Sequence, residues 1–292
     1  MSHRAPPAAV SWRRLAACGL LAAFGAAPVP ASADAAQLRV VEETLLKAPV
    51  DSRFQRPFRI DSTETSGSAS GEAVGVVEHS FASLNAALSD PHHWCDVLIL
   101  HVNNKACRIN AHGDATTIAL KVARKYDQPV DQAAPMELAY HLIESTPQHL
   151  EVHLTSASGP MGTSDYRISL EAIPLRDGRA FLRFSYSYHY GFAARMAMGV
   201  YFATVGHGKV GFSEAGPPVN GHPQFIGGNR GLVERNTMRY FLAIEAYLSA
   251  PGANQFETRL KRWFEATELH PRQLHEIDMP TFMEIKRREN RA

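Results

Sequence analysis

The sequence predicts an α+β protein: an antiparallel sheet, then a long helix, then a helical tail. Three observations carry this. From about residue 97 to 190 the chain reads as consecutive strands with no helix between them, the pattern of an antiparallel meander. Within that run "AFLRFSYSYHYG" at 180–191 alternates without a slip: Leu182, Phe184, Tyr186, Tyr188 and Tyr190 share one face, and Arg183, Ser185, Ser187 and His189 the other. After it, "NRGLVERNTMRYFLAIEAYLSAPG" at 229–252 is amphipathic at helical spacing. Val233, Thr237, Tyr240, Phe241, Ile244, Tyr247 and Leu248 form its apolar stripe, with Glu234, Arg235, Arg239 and Glu245 on a face expected in solvent.

The N-terminus reads as a removable leader. Arg4, Arg13 and Arg14 precede the apolar run "LAACGLLAAFGAA", and "ASA" at 31–33 has the small-x-small form of a cleavage site. Residues 1–33 are therefore expected to be a signal peptide, and the protein periplasmic or secreted. The apolar run is too short to cross a bilayer, and no later segment is long enough, so the mature chain is expected to have no transmembrane span. Removing 1–33 takes three arginines from 30 Lys+Arg and nothing from 29 Asp+Glu, leaving 27 against 29. That balance argues against a nucleic-acid partner, which needs a concentrated basic face. Two cysteines remain, Cys95 and Cys107, either bonded as an oxidising compartment would favour or buried as thiols.

Residues 34–70 read as an N-terminal extension ending in the linker-like "DSTETSGSASG". "GEAVGVVEHS" follows as a short strand, and Ser80 is a good N-cap for a helix burying Phe81, Leu84 and Leu88 before Asp90-Pro91. "VLILHV" and "ACRIN" read as short strands, followed by "TTIALKVARKY", "ELAYHLIES" and "HLEVHLTS". The final hairpin can be registered. With Gly178 left-handed in a three-residue loop, Ala172 faces Leu182, Leu170 faces Phe184, Ile168 faces Tyr186 and Tyr166 faces Tyr188. Glu171 then meets Arg183, Ser169 meets Ser185 and Asp165 meets His189, so one register sorts both faces. "FAARMAMGVYFATVG" is apolar on nearly every side and is expected to be sandwiched. The tail adds a helix with Phe256, Leu260, Trp263 and Phe264 on one face, then the charged "EIKRRENRA".

The segments "GVVEHSFASLNAALSDPHHWCDVL", "YRISLEAIPLRDGRAFLRFSYSYHYG" and "VERNTMRYFLAIEAYLSA", over about residues 71–250, resemble the START-like (SRPBCC) helix-grip superfamily. The resemblance lies in architecture, with 251–292 as a helical extension and 192–205 as an inserted helix. It implies a curved antiparallel sheet wrapped around the long C-terminal helix, with an apolar cavity between them that takes a lipid or other hydrophobic small molecule. It carries over no catalytic residue and no cofactor. The expected ligand wall is Phe184, Tyr186, Tyr188, Tyr190, Tyr166 and Ile168 from the sheet with Tyr240, Phe241, Ile244 and Tyr247 from the helix. Pockets of this kind are apolar and aromatic with a few placed polar groups. The competing reading is a filled aromatic core.

Other constellations are weaker. "HHWC" at 92–95 lacks the ligand spacing of a zinc site. His141, His153 and His189 fall on the sheet's outer face; with Leu142 opposite Leu150, His141 would oppose Glu151. "GPMGTSDYR" at 159–167 has no lysine or following helix to cradle phosphate. The acids that can be placed, Glu171 and Asp165, project outward, and no nucleophile motif is present. "RLKR" and "KRRENR" beside the 255–264 apolar face leave peripheral membrane contact as a possibility, with docking on the domain the commoner outcome. The expected function is an exported hydrophobic-ligand binding or transfer protein. The alternatives are an enzyme of the same fold and a non-catalytic accessory protein.

Overall fold

Eight strands build one antiparallel sheet, and a 21-residue helix lies across it. The computed structural model describes Met1, 35–113, 115–204 and 206–290, so the leader reading of 1–33 lies outside the described residues apart from Met1. Residues Ala33–Ala292 form one unit. In chain order its elements are α1 (Ala35–Lys47), β1 (Phe58–Glu64), β2 (Ser68–Ser80), α2 (Phe81–Leu88), α3 (Trp94–Leu98), β3 (Asn104–His112), β4 (Ala115–Val122) and β5 (Ala134–Ser145). There follow β6 (Leu150–Ser158), β7 (Thr163–Pro174), β8 (Arg179–Tyr190), α4 (Phe192–Ala203), β9 (Glu214–Val219) and β10 (His222–Phe225). The helices α5 (Gly228–Leu248), α6 (Phe256–Glu268), α7 (Pro271–Leu274) and α8 (Met279–Glu289) complete the unit.

The sheet order is β1-β2-β8-β7-β6-β5-β4-β3, so the meander from β3 returns to the first hairpin. This is the α+β, helix-grip architecture expected. The linker-like Ser/Thr/Gly stretch is instead the β1–β2 hairpin, closed by Thr65 N–H on the Ser68 carbonyl at 2.9 Å. A domain boundary at 71 would therefore cut β2. "VLILHV" is also corrected. Residues 94–98 are helical, and Leu100 and Val102 are buried in the turn that follows, because a short apolar run fits a buried turn as well as a strand. Ser80 caps α2 as expected, its hydroxyl accepting from Ser83 N–H at 3.1 Å.

The β7–β8 register holds from Pro174↔Ala180 to Arg167↔Ser187, with Gly178 at φ 85°. It fails beyond that. Asp165, at φ 49°, makes a bulge, so Asp165 and Tyr166 together oppose Tyr188 and Ser164 pairs with His189. The side chains still meet: Asp165 Oδ2 lies 3.1 Å from His189 Nδ1. A second irregularity, between Leu142 and Glu144, sets Leu142 opposite Val152 and His141 opposite His153.

Four successive inward positions of β2 are small, and each pairs with a bulky residue of β8: Ala69 with Tyr188, Gly71 with Tyr186, Ala73 with Phe184, Gly75 with Leu182. That alternation is what admits α5. A Cβ on Gly71 would stand 2.5 Å from Thr237 Oγ1 and 3.1 Å from the Val233 carbonyl oxygen. On the sheet's other face α1 packs Leu38 and Leu45 against Val74, Val76, Ile173 and Phe181. Glu171, expected to project into solvent, is 3% exposed.

The far side of α5 is also covered. α6 lays Leu260, Trp263 and Phe264 into the core, and Trp263 Nε1 donates to the Arg239 carbonyl at 2.9 Å. The 255–264 face is thus inside the protein and is not available to a membrane. The expected solvated face of α5 is buried with it: Glu234, Arg235 and Arg239 are nearly inaccessible. In α8, Lys286 is fully buried and donates to the carbonyls of His101 and Asn104 at 2.9 and 2.7 Å. Conversely α4, expected to be sandwiched, buries only Ala194 and exposes Phe192, Met196 and Val200. No helix of the described residues is long and apolar enough to cross a membrane.

Candidate functional site

Tyr166 and Ile168 on β7 with Phe184, Tyr186, Tyr188 and Tyr190 on β8 form one buried wall, as the alternation requires. Tyr240 of α5 closes on it, its ring centroid 5.9 Å from Phe184 and 6.0 Å from Tyr186. Where the sequence leads one to expect a gap, these rings meet, and Tyr166 stacks on Tyr188 at 5.5 Å. The other helix residues stand apart. Phe241, about 100° further round α5, packs edge-on to Phe58 at 5.0 Å. Tyr247 shares the stripe but lies about 10 Å along the axis, between His93 and Arg259. Ile244 is core.

Three of the wall's tyrosines have their hydroxyls bonded. Thr163 Oγ1 donates to the Pro160 carbonyl and so accepts from Tyr166, 2.8 Å away. Tyr190 donates to Glu64 Oε1 at 2.8 Å, and Tyr240 accepts from Asn104 Nδ2 at 3.3 Å. Tyr188 is the exception. It is 3% exposed, and among the described residues its hydroxyl has no hydrogen-bond partner. Leaving a buried hydroxyl unpaired costs about 1–3 kcal/mol, and native proteins hold few such groups. Burial raises the pKa of every tyrosine in the wall, that of Tyr240 to about 12. The hydroxyls therefore stay protonated and act as neutral donors.

α4 bounds this end of the wall. Its Ala194 and Met198 join the same core cluster, it touches the 160–162 turn and α5, and Arg195 lies over the Tyr190 ring at 6.0 Å. A separate cavity of about 410 Å³ opens beside Phe54, Phe58 and Ile60. Its rim arginines are paired, Arg53 with Asp51 and Arg59 with Asp61.

Two charged groups of α5 that the sequence places in solvent are buried. Glu234 accepts from the hydroxyls of Ser62 and Ser213 and the N–H groups of Phe212 and Ser213, at 2.6–2.9 Å. Arg235, on the same buried side of α5, donates to the Val210 carbonyl at 3.2 Å. The signal available was the apolar face of α6, which needs a surface to dock on and finds it in the back of α5.

The histidine cluster holds no metal geometry. His92 Nδ1 lies 2.8 Å from Asp90, His93 Nδ1 lies 2.8 Å from the Ala87 carbonyl oxygen, and Cys95 is bonded to Cys107. Among the described residues no group of His, Cys, Asp or Glu is arranged to hold a metal ion.

Fold and site together define a helix-grip protein with a buried tyrosine wall. No family model and no curated protein matches the chain. Among solved structures it is similar to a truncated norcoclaurine synthase from Thalictrum flavum, at 14% identity over 47% of this chain and 84% of that one, TM-score 0.35. It is also similar to Ara h 8.0201, at 14% identity over 63% and 99%, TM-score 0.35. A conserved protein of unknown function from Enterococcus faecalis shares 9% identity over 73% and 92%, TM-score 0.34.

Proposed function

We propose that this is a START-like protein that binds a hydrophobic small molecule with a polar head along the β7–β8 tyrosine wall. One observation carries the reading: among the described residues, Tyr188 has the one tyrosine hydroxyl of the wall that is buried without a hydrogen-bond partner. A ligand oxygen would satisfy it, and the aromatic rings would cover the apolar body, at about 25 cal/mol per Å² before opposing costs. Because the rings touch, entry requires the Tyr166–Tyr188 stack to part and α4 to yield. The leader-like residues 1–33 and the Cys95–Cys107 bond support an exported location. The test is organic extraction of the purified protein followed by mass spectrometry. A stoichiometric apolar molecule is expected; its absence, together with no uptake of fluorescent lipid probes, rejects the reading.

A second reading, a non-catalytic accessory protein, is favoured by the exposed Phe192, Met196 and Val200 on α4. Apolar stripes of this kind mark interaction sites. A Phe192→Asp, Met196→Asp double variant that folds but no longer loads ligand places α4 in ligand transfer. Unchanged loading favours the partner reading.

A further inference from the structure

Of the exposed residues of α4, only Arg195 is polar. Phe192, Met196 and Val200, the first 77% exposed, recur every four residues, so they drift about 40° per step round the helix and make one stripe. Ala193, Ala197, Gly199 and Ala203 flank it and complete an exposed apolar arc of about 160°. Ala194 and Met198 lie on the opposite side, against the core cluster that holds the tyrosine wall. The amphipathicity is thus inverted. A surface helix of a globular protein turns its polar side outward, and α4 turns an apolar one.

Charge and size narrow what can cover this face. From Phe192 to Ser213 the chain carries no Asp or Glu, and its cations are Arg195 and Lys209, with His207 beside them. Lys209 is held by Glu276. Arg195 lies about 40° beyond the edge of the apolar arc, its guanidinium over the Tyr190 ring at 6.0 Å, and among the described residues it has no ion-pair partner. The carboxylate at this end, Glu64, is taken up by Tyr190 and Asn229. A helix of 12 residues is about 18 Å long and about 10 Å wide, an outline of about 180 Å². A specific protein interface buries roughly 800 Å² per partner. Exposed Met161, on the 160–162 turn that α4 touches, enlarges the patch without closing that difference. A bilayer needs no shape match. Each apolar side chain that sinks into the headgroup boundary contributes separately, and an arginine at the rim meets lipid phosphates.

We propose that α4 is a membrane-contact helix, which seats its Phe192–Met196–Val200 stripe in the interface of an anionic bilayer with Arg195 against the lipid phosphates. A bound ligand is not needed for this contact. Where a ligand is carried, the bilayer meets the protein at the helix that bounds the tyrosine wall.

The experiment is flotation of residues 33–292, which form one unit, with vesicles of phosphatidylcholine alone or with about one-third phosphatidylglycerol. Residues 1–32 are left out because the apolar run at 15–27 would bind lipid by itself. The wild type should partition onto the anionic vesicles about fivefold more strongly than onto the neutral ones, the factor of one arginine at a charged surface. Phe192→Ser with Met196→Ser should weaken partitioning about tenfold or more, since two apolar side chains no longer leave water. Arg195→Gln should weaken it about fivefold on the anionic vesicles only. These side chains are exposed, so the fold does not depend on them; should the double variant not fold, Val200→Ser alone should show a several-fold loss, and none overturns the placement of the stripe. Absence of wild-type flotation on both vesicles overturns the proposal, and a dimer in sedimentation velocity that the double variant abolishes then assigns the face to a second copy. Flotation that survives the double substitution overturns the role of α4. Equal flotation on the two vesicles overturns the anionic preference. None of these results bears on the extraction of an apolar molecule, so the ligand reading stands or falls separately.

Discussion

Tyr166 and Tyr188 stack with their planes 21° apart across the Asp165 bulge, yet only Tyr166 has its hydroxyl bonded. The pair is matched in chemistry and nearly matched in burial, so it separates packing from hydrogen bonding within one wall.

Tyr166→Phe should lower stability by about 1 kcal/mol, because Thr163 loses a hydrogen-bond partner in a buried site. Tyr188→Phe should leave stability unchanged or slightly raised in ligand-free protein. Urea unfolding of both variants decides it; a loss above about 1 kcal/mol for Tyr188→Phe would show an internal bond that the structure does not contain.

Gly71→Ala should destabilise the protein by about 1–3 kcal/mol through overpacking, since the added methyl meets Thr237 Oγ1 and the Val233 carbonyl. Pairing it with Thr237→Ala should recover part of the loss. Additive losses in the double variant would contradict the contact.

Breaking the Cys95–Cys107 bond, which closes a loop of sequence separation 12, should cost about 3 kcal/mol. Thermal unfolding with and without reductant measures it, and coincident curves would speak against the bond's contribution.

His101 carries a pH dependence. Burial first, then the charges of Arg239, Lys286 and Lys105, hold its pKa down to about 3 from the ordinary 6.5. The unfolded chain therefore binds the extra proton between those values, and stability contributed by neutral His101 is complete above about 6.5 and lost as pH falls through the window. The melting temperature of the wild type should drop more steeply from pH 6.5 to 4 than that of His101→Gln. Parallel curves would contradict this.

Local alternation made the tyrosine wall legible, because period two fixes which face each residue takes once a strand is recognised. The β7–β8 register was legible as far as Arg167, where Asp165 enters the left-handed region; no residue pattern marks an aspartate for that. The charged side of α5 misled because a helical stripe reports one buried face and is silent on whether a second exists. Glu234 and Arg235 are core because Ser62 of β1 and the 210–213 segment close over them. The converse failure is α4, whose uniform apolarity predicted burial that the surrounding elements do not provide. The β9–β10 hairpin went unread although Asn220-Gly221, both left-handed, is a two-residue turn signal.

Lys286 reaches back 185 residues to His101 and 182 to Asn104, and Glu289 reaches Lys105. During synthesis the ribosome releases every strand well before this clasp exists. A nascent chain must therefore wait until residue 289 has emerged before the ground around Asn104 and Tyr240 can set. The last helix is in this way part of the ground on which the first strand of the meander stands.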